Sequence, residues 1–428
     1  MMVKGALKMM LNLFSKKAAA AFLLVFLSIY PLRAECGSSL RTVLKVSAKD
    51  DLVQTVASAK PGTTILLKNG LYKLTRPLIF KKSNVWIRSE SGKRNEVVLD
   101  GHTGTGELER KNCINEIIGV MASDVMIADI SICHARDHGI HVSPQQKGNI
   151  KNIVMDNIHI YDCGQQLIKV NSNGSKPLLW VDAGVLKNSL IEFIDNSIMQ
   201  DMGDYFYTGG IDVHGGRNWL IQGNTFRNIQ RENKMMEHAV HMWFKSRGTV
   251  IEQNRFINCF RAVGLGMKIK PAGLVRVYKD GKGNKPYIDH IGGVVQSNFI
   301  FNDKGVHQES GIELMNVSGA KVYHNTIVSR DKPFSSIEYR WPNTRVRIMN
   351  NIVSHNIMQR NGAKAVLEGN IKNAGSKLFQ NLKKGNLHLS SKADKALNKG
   401  AMLKDLVVKF DIDGDKRDNK PDIGADEL

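Results

Sequence analysis

Between Gly139 and Arg340 a four-residue pattern returns: an apolar residue, one expected to be exposed, an apolar residue and another expected to be exposed. It reads Ile140-His141-Val142-Ser143, Ile168-Lys169-Val170-Asn171, Ile211-Asp212-Val213-His214, Val240-His241-Met242-Trp243, Val263-Gly264-Leu265-Gly266, Ile312-Glu313-Leu314-Met315 and Ile337-Glu338-Tyr339-Arg340. Alternation of period two makes a strand with one buried face. Return of that strand at mostly 23 to 29 residues predicts an all-β solenoid, in which each turn stacks on the next. Neighbouring turns would lie about 4.8 Å apart, so equivalent residues form straight columns. One column is His141, Lys169, Asp212, His241, Gly264, Glu313 and Glu338. A structural repeat has no need of ionisable groups there, which makes the column a candidate site.

A second register supports the stacking. Asn196-Ser-Ile198, Asn224-Thr-Phe226, Asn254-Arg-Phe256, Asn298-Phe-Ile300, Asn325-Thr-Ile327 and Asn350-Asn-Ile352 each place an asparagine two residues before an apolar one. Asparagine tolerates turn geometry, and its amide can bond to the turns on either side. An internal Asn ladder is expected.

Residues 1–34 have the pattern of an export signal. Lys4, Lys8, Lys16 and Lys17 precede an apolar run from Ala18 to Ile29, and Leu32-Arg33-Ala34 suits cleavage near Ala34. So short a run predicts no stable membrane span, and a secreted or periplasmic chain. The formal charge is +20; the five cations of the signal account for part of it and leave +15. A basic exported protein suits an anionic polymer such as an acidic polysaccharide. There is no recognisable nucleic-acid-binding motif, and a monomer is expected. With five cysteines, at least one is unpaired in a monomer. Cys133 and Cys163 fall two residues out of register in adjacent turns, beyond disulfide reach.

Residues 35–60 are expected to form an N-terminal cap, with helical spacing at Leu52, Val53 and Val56 before Pro61-Gly62. The solenoid follows over 61–375, then a C-terminal capping segment over 376–428. Two insertions, Asn171 to Gly184 and Ile269 to His290, leave the chain just after strands of the polar column. Long loops on a rigid solenoid commonly wall a groove.

These features resemble the right-handed parallel β-helix proteins of the pectate-lyase type over about residues 61–375. The resemblance implies a single right-handed coil closed by caps. The acidic stretch Asp411-Ile-Asp413-Gly414-Asp415 to Glu427 resembles the closing segment of secreted bacterial β-helix proteins and is expected to be a structural cap, with calcium binding as the alternative. Glu237-His238-Ala239-Val240-His241-Met242-Trp243-Phe244-Lys245-Ser246, followed by Asn254-Arg-Phe256, resembles the alginate lyase and chondroitinase B family. That resemblance implies Lys245 as a catalytic base. Where that family carries calcium-binding glutamates this chain has Glu237, His238 and His241, and its arginine-histidine-glycine is replaced by Gly266-Met267-Lys268.

Elimination on a uronic acid polymer needs a base, a cation beside the carboxylate and an acid for the leaving oxygen. Gly264 and Gly266 suggest a notch in which substrate touches His214, His241, Trp243 and Lys245 on one side and Glu313, Glu338 and Arg340 on the other. A sugar ring would stack on Trp243. Lys245 or His241 would take the proton, with Lys268 lowering the lysine's pKa. Arg340, or a cation such as calcium held by Glu313 and Glu338 with Asp212 as a further ligand, would neutralise the carboxylate. Lys169 and His141 extend the binding face. Other readings remain open: a glycoside hydrolase using Glu313 and Glu338, about 5 Å apart, an epimerase, or a non-catalytic glycan-binding adhesin.

Overall fold

The computed structural model describes residues 41–428 apart from 105, 146–147, 203–204, 232–233, 272 and 405–407. The export signal predicted at 1–34, and Cys36, lie outside the described residues. From Met126 onward each turn is built from three short strands, such as Met126–Ala128, Ser131–Cys133 and His138–Val142, followed by Val154–Asp156, His159–Tyr161 and Gln166–Val170. Equivalent strands pair in parallel from turn to turn, with Met126 level with Val154, Ser131 with His159 and Ile140 with Ile168. Three parallel sheets result, and the chain visits them in rotation. This is a parallel β-helix.

Local sequence explains the strand ends. Asp129, Asn157, Asn188, Gln253, Ser297, His324 and Asn350 all have φ between 50° and 58° at the same bend of successive turns. Asparagine and aspartate tolerate that left-handed backbone at small cost, which ends one strand and starts the next. Inward residues such as Ile140, Val142, Ile168, Ile211, Val240, Val263 and Ile312 are fully buried. They join one apolar core that runs the length of the coil.

Beside the bend, side-chain amides bond from turn to turn. Asn224 Nδ2 donates to Asn254 Oδ1, Asn254 to Asn298, Asn298 to Asn325, Asn325 to Asn351 and Asn351 to Asn370, each at 2.9 to 3.0 Å. Two expected members stand elsewhere. Asn350 occupies the left-handed bend itself, so the next residue takes the stacking place. At the other end Ser189, not Asn196, meets Asn224.

The predicted N-terminal helix spans Leu52–Ser58. Asp51 accepts the Gln54 N–H to cap it, and Leu52 and Val56 join the core. The segment after residue 376 lies along the outside of the last turns. Ile412, Ile423 and Ala425 pack with Phe299, Phe301, Val328 and Ile352, and the Ala425 N–H bonds to Thr326 Oγ1 at 3.0 Å. Leu367 of Lys364–Glu368, the terminal strand of its parallel sheet, stays 46% exposed. The C-terminal acids are occupied by backbone: Asp411 accepts the N–H groups of Asp413, Asp415 and Glu427, and Asp422 those of Asn398 and Leu428. Cys113, Cys133, Cys163 and Cys259 are free and buried.

The two insertions meet. Arg276 of the second makes a bidentate pair with Asp182 of the first at 2.6 and 2.8 Å, and its guanidinium lies 5.6 Å from the centre of the Trp180 ring.

Candidate functional site

The sheet carrying the polar column runs through Gln166–Val170, Gly209–His214, His238–Trp243, Arg261–Gly266, Ser310–Met315 and Ser335–Arg340. Its register places His141, Lys169, Asp212, His241, Gly264, Glu313 and Glu338 level with one another in that order. The column is far less exposed than alternation alone suggests. Lys169, Asp212, His241, Glu313 and Glu338 are each at most 5% exposed. Buried charge is tolerated only when paired, and each of these charges has a partner.

Lys169 and Asp212 form a close ion pair. Lys169 Nζ also donates to the Tyr207 hydroxyl at 3.1 Å and lies 3.2 Å from His214 Nε2. Asp212 accepts the Trp243 indole N–H at 2.6 Å and lies 3.3 Å from His214 Nε2. Burial favours the uncharged form of both partners, yet mutual attraction wins: Asp212 is held well below the usual carboxylate range and Lys169 is raised. Thus His214 Nε2 faces both a donor and an acceptor. Tyr207 and His214 are half-buried, so this cluster reaches the surface through a phenol and an imidazole.

One turn further, Trp243 lies parallel to the His241 ring, centroids 5.2 Å apart and planes 5° apart. One face expected to receive a sugar is therefore covered by His241. His241 Nε2 donates to the Gly266 carbonyl at 3.2 Å. Burial and the neighbouring His238 push its pKa down to about 4. His238 Nε2 donates to Glu313 Oε2 at 3.2 Å. Burial lowers His238, but Glu237 and Glu313 outweigh it and raise its pKa. Burial likewise raises Glu313, while His238 and Arg261 hold it down at about 2.

The expected glycine notch is not open. A Cβ on Gly264 would lie 2.6 Å from the His238 ring, so that ring fills the space above the glycine. Gly266 has φ +68°, and a Cβ there would lie 2.1 Å from the Met315 carbonyl oxygen. Both glycines serve close packing.

Other expected residues stand apart. Lys245 is 1% exposed; its ammonium donates to the Gly283 carbonyl and to Asn284 Oδ1 of the second insertion, and burial lowers its pKa. Those contacts tie it to the insertion. Lys268 does reach the cluster, its ammonium 5.6 Å from the Trp243 ring centre. Arg340 pairs with Glu338 at 3.2 Å, and Arg360 takes the other oxygen at 3.0 Å. Arg340 is three strands from Trp243, about 14 Å at strand spacing. Glu313 and Glu338 thus have separate cations, and with Asp212 they make no common carboxylate cage. His141 bonds to Glu116 at 2.8 Å and lines a cleft of about 530 Å³ with Arg76, Glu116, Asp137 and His138.

Tyr207 and Arg261 were missed in the sequence, and Glu237 and His238 entered only through the resemblance, without a role. A signal existed: three residues before the polar column stand His138, Gln166, Gly209, His238, Arg261 and Ser310. The odd offset assigns them inward under strict alternation. They begin their strands, though, just after a bend, where the alternation has not yet settled.

Among the described residues, Glu237, His238 and His241 form one of three groups whose ligand atoms lie within 4.8 Å of one another; the others are Asp100, Cys133 and His134, and His388, Asp413 and Asp426.

No protein-family model and no curated protein matches the chain. Among solved structures, the pectate lyase Pel9A is similar with a TM-score of 0.51 and 14% identity, over 91% of this chain and 97% of that one. An alginate lyase from Paenibacillus sp. str. FPU-7 gives 0.49 and 17% over 78% and 99%. The Streptococcus pneumoniae surface adhesin PfbA gives 0.46 and 12% over 77% and 97%. At such identities the likeness is one of architecture, and what the chain shares with the pectate lyase is the parallel β-helix fold.

Proposed function

We propose that the chain is an exported polysaccharide lyase, acting on an anionic, uronic acid-containing polysaccharide by β-elimination. The coil is taken as right-handed, the hand that parallel crossovers adopt. The observation that carries the reading is the Lys169–Asp212 pair with Tyr207 and His214 above it. Asp212 can hold the proton of His214 on Nε2, which leaves Nδ1 as the acceptor for the proton beside the substrate carboxylate. The C4–O bond then breaks, and its electron pair leaves with the oxygen. A double bond forms between C4 and C5, and the hydroxyl proton of Tyr207 passes to the leaving oxygen. Lys169, already bonded to that phenol oxygen, stabilises the charge left there. Lys268 supplies a cation for the carboxylate, and the basic chain as a whole attracts the polymer.

A glycoside hydrolase built on Glu313 and Glu338 is the weaker reading. It needs one carboxyl protonated near neutrality, whereas Glu313 is held at about 2 and Glu338 is shared by two arginines. The test is a panel of uronate polymers, with and without chelator. Elimination yields an absorbing unsaturated product; hydrolysis yields reducing ends without it. Binding with neither product would indicate a glycan-binding solenoid.

A further inference from the structure

We infer that Glu237, His238 and His241 form a binding site for a divalent transition-metal ion of the zinc class. One nitrogen of each imidazole is committed elsewhere. His241 Nε2 faces the Gly266 carbonyl, which can only accept, so that nitrogen carries the hydrogen. His238 Nε2 faces the Glu313 carboxylate and carries its hydrogen for the same reason. In the neutral imidazoles both lone pairs therefore sit on Nδ1. The two Nδ1 atoms each lie 3.8 Å from Glu237 Oε2, and all three ligand atoms fall within 4.8 Å of one another. Metal–ligand bonds near 2.1 Å put tetrahedral ligands about 3.4 Å apart, so the two pairs to Glu237 need to contract by a few tenths of an ångström, and the two Nδ1 atoms, within 4.8 Å of each other, by at most about 1.4 Å.

A second observation points to a ligand. His238 has a side chain with no exposed surface, and its Nδ1 has no hydrogen-bond partner. At 3.8 Å Glu237 is an ionic neighbour and too distant for a hydrogen bond. The outer contacts are those of metal-binding histidines, in which the second nitrogen donates to a carboxylate or a backbone carbonyl. Arg261, 3.5 Å from Glu313 Oε1, anchors that outer carboxylate. Asp212 Oδ1, 4.0 Å from His241 Nδ1, stands ready as a further oxygen. The Glu237 side chain, 14% exposed, marks the path of entry. Calcium takes six to eight oxygens; two imidazoles and one carboxylate select zinc, cobalt or nickel. The site does not depend on the elimination reading, since its test measures binding.

The experiment strips the purified chain with chelator, then titrates it with Zn²⁺ by calorimetry and with Co²⁺ by visible absorbance, with Ca²⁺ as competitor. The expected result is one Zn²⁺ per chain, a raised melting temperature, a Co²⁺ band, and no displacement by excess Ca²⁺. His238→Gln, His241→Gln and the more exposed Glu237→Gln should each weaken Zn²⁺ by at least about a hundredfold. His388→Gln, in the C-terminal His–Asp group, should bind as the unaltered chain does. Several results would overturn the inference: no Zn²⁺ or Co²⁺ binding by folded protein, displacement by Ca²⁺, undiminished affinity in the folded Glu237→Gln variant, or loss of binding in His388→Gln.

Discussion

At the residue scale, the column combines what alternation dictates with what burial then demands. Stacking at about 4.8 Å places Lys169 beside Asp212, and burial leaves them no alternative to pairing. His214→Ala and Tyr207→Phe should each lower elimination by about 10²–10⁴-fold. Both residues are half-buried, so their melting temperatures should stay near that of the unaltered chain. Gly264→Ala should behave in the opposite way. Its methyl would press on the His238 ring, costing about 1–3 kcal/mol of stability, measurable by urea denaturation. The column, its register and the apolar core were legible in the sequence because period-two alternation states them directly. Alternation did not show Tyr207, Glu237 and His238, because they lie just before a strand or at its first residue, where the period has not settled; only the resemblance pointed to Glu237 and His238. The role of Gly264 was misjudged for a related reason: a glycine reads as empty space until the ring that fills it is known.

At the scale of elements, two kinds of order can be separated by mutation. The stacked asparagines hold turn to turn from within. Asn298 is fully buried, donates to Ile251, Gln296 and Asn325, and accepts from Asn254. Asn298→Ala would leave several buried groups unpaired and should cost roughly 2–4 kcal/mol, whereas Asn370→Ala at the end of the row should cost less. The insertions are held from outside. Arg276→Ala removes the pair to Asp182, and limited proteolysis should then cut within 269–290 while circular dichroism of the β-helix stays unchanged. That the insertions exist was legible from the interrupted repeat. That they pin one another, and that Lys245 is occupied in holding the second, depends on contacts between distant segments and has no local signature.

At the scale of the whole molecule, a long coil with many buried ionisable groups should be sensitive to acid. Burial pushes His138 and His290 down to about 3, so both are neutral in the fold. In the unfolded chain they take up protons below about pH 6.5. The unfolded state then binds more protons, so stability is fully present above that pH and falls as the pH drops toward 3. Each group contributes a slope of up to about 1.4 kcal/mol per pH unit. Urea denaturation at pH 7 and pH 4.5 should show the loss, and His290→Gln should flatten it. The central claim, that the polar face performs elimination through the cluster over Lys169 and Asp212, is tested most directly by one assay. The unaltered chain, His214→Ala and Tyr207→Phe are incubated with the same uronate polymer, and absorbance of unsaturated product is read against reducing ends. The prediction is that absorbance and reducing ends rise together for the unaltered chain, and that both collapse in the two variants while their folds persist. Reducing ends without absorbance, or full activity in both variants, would contradict it.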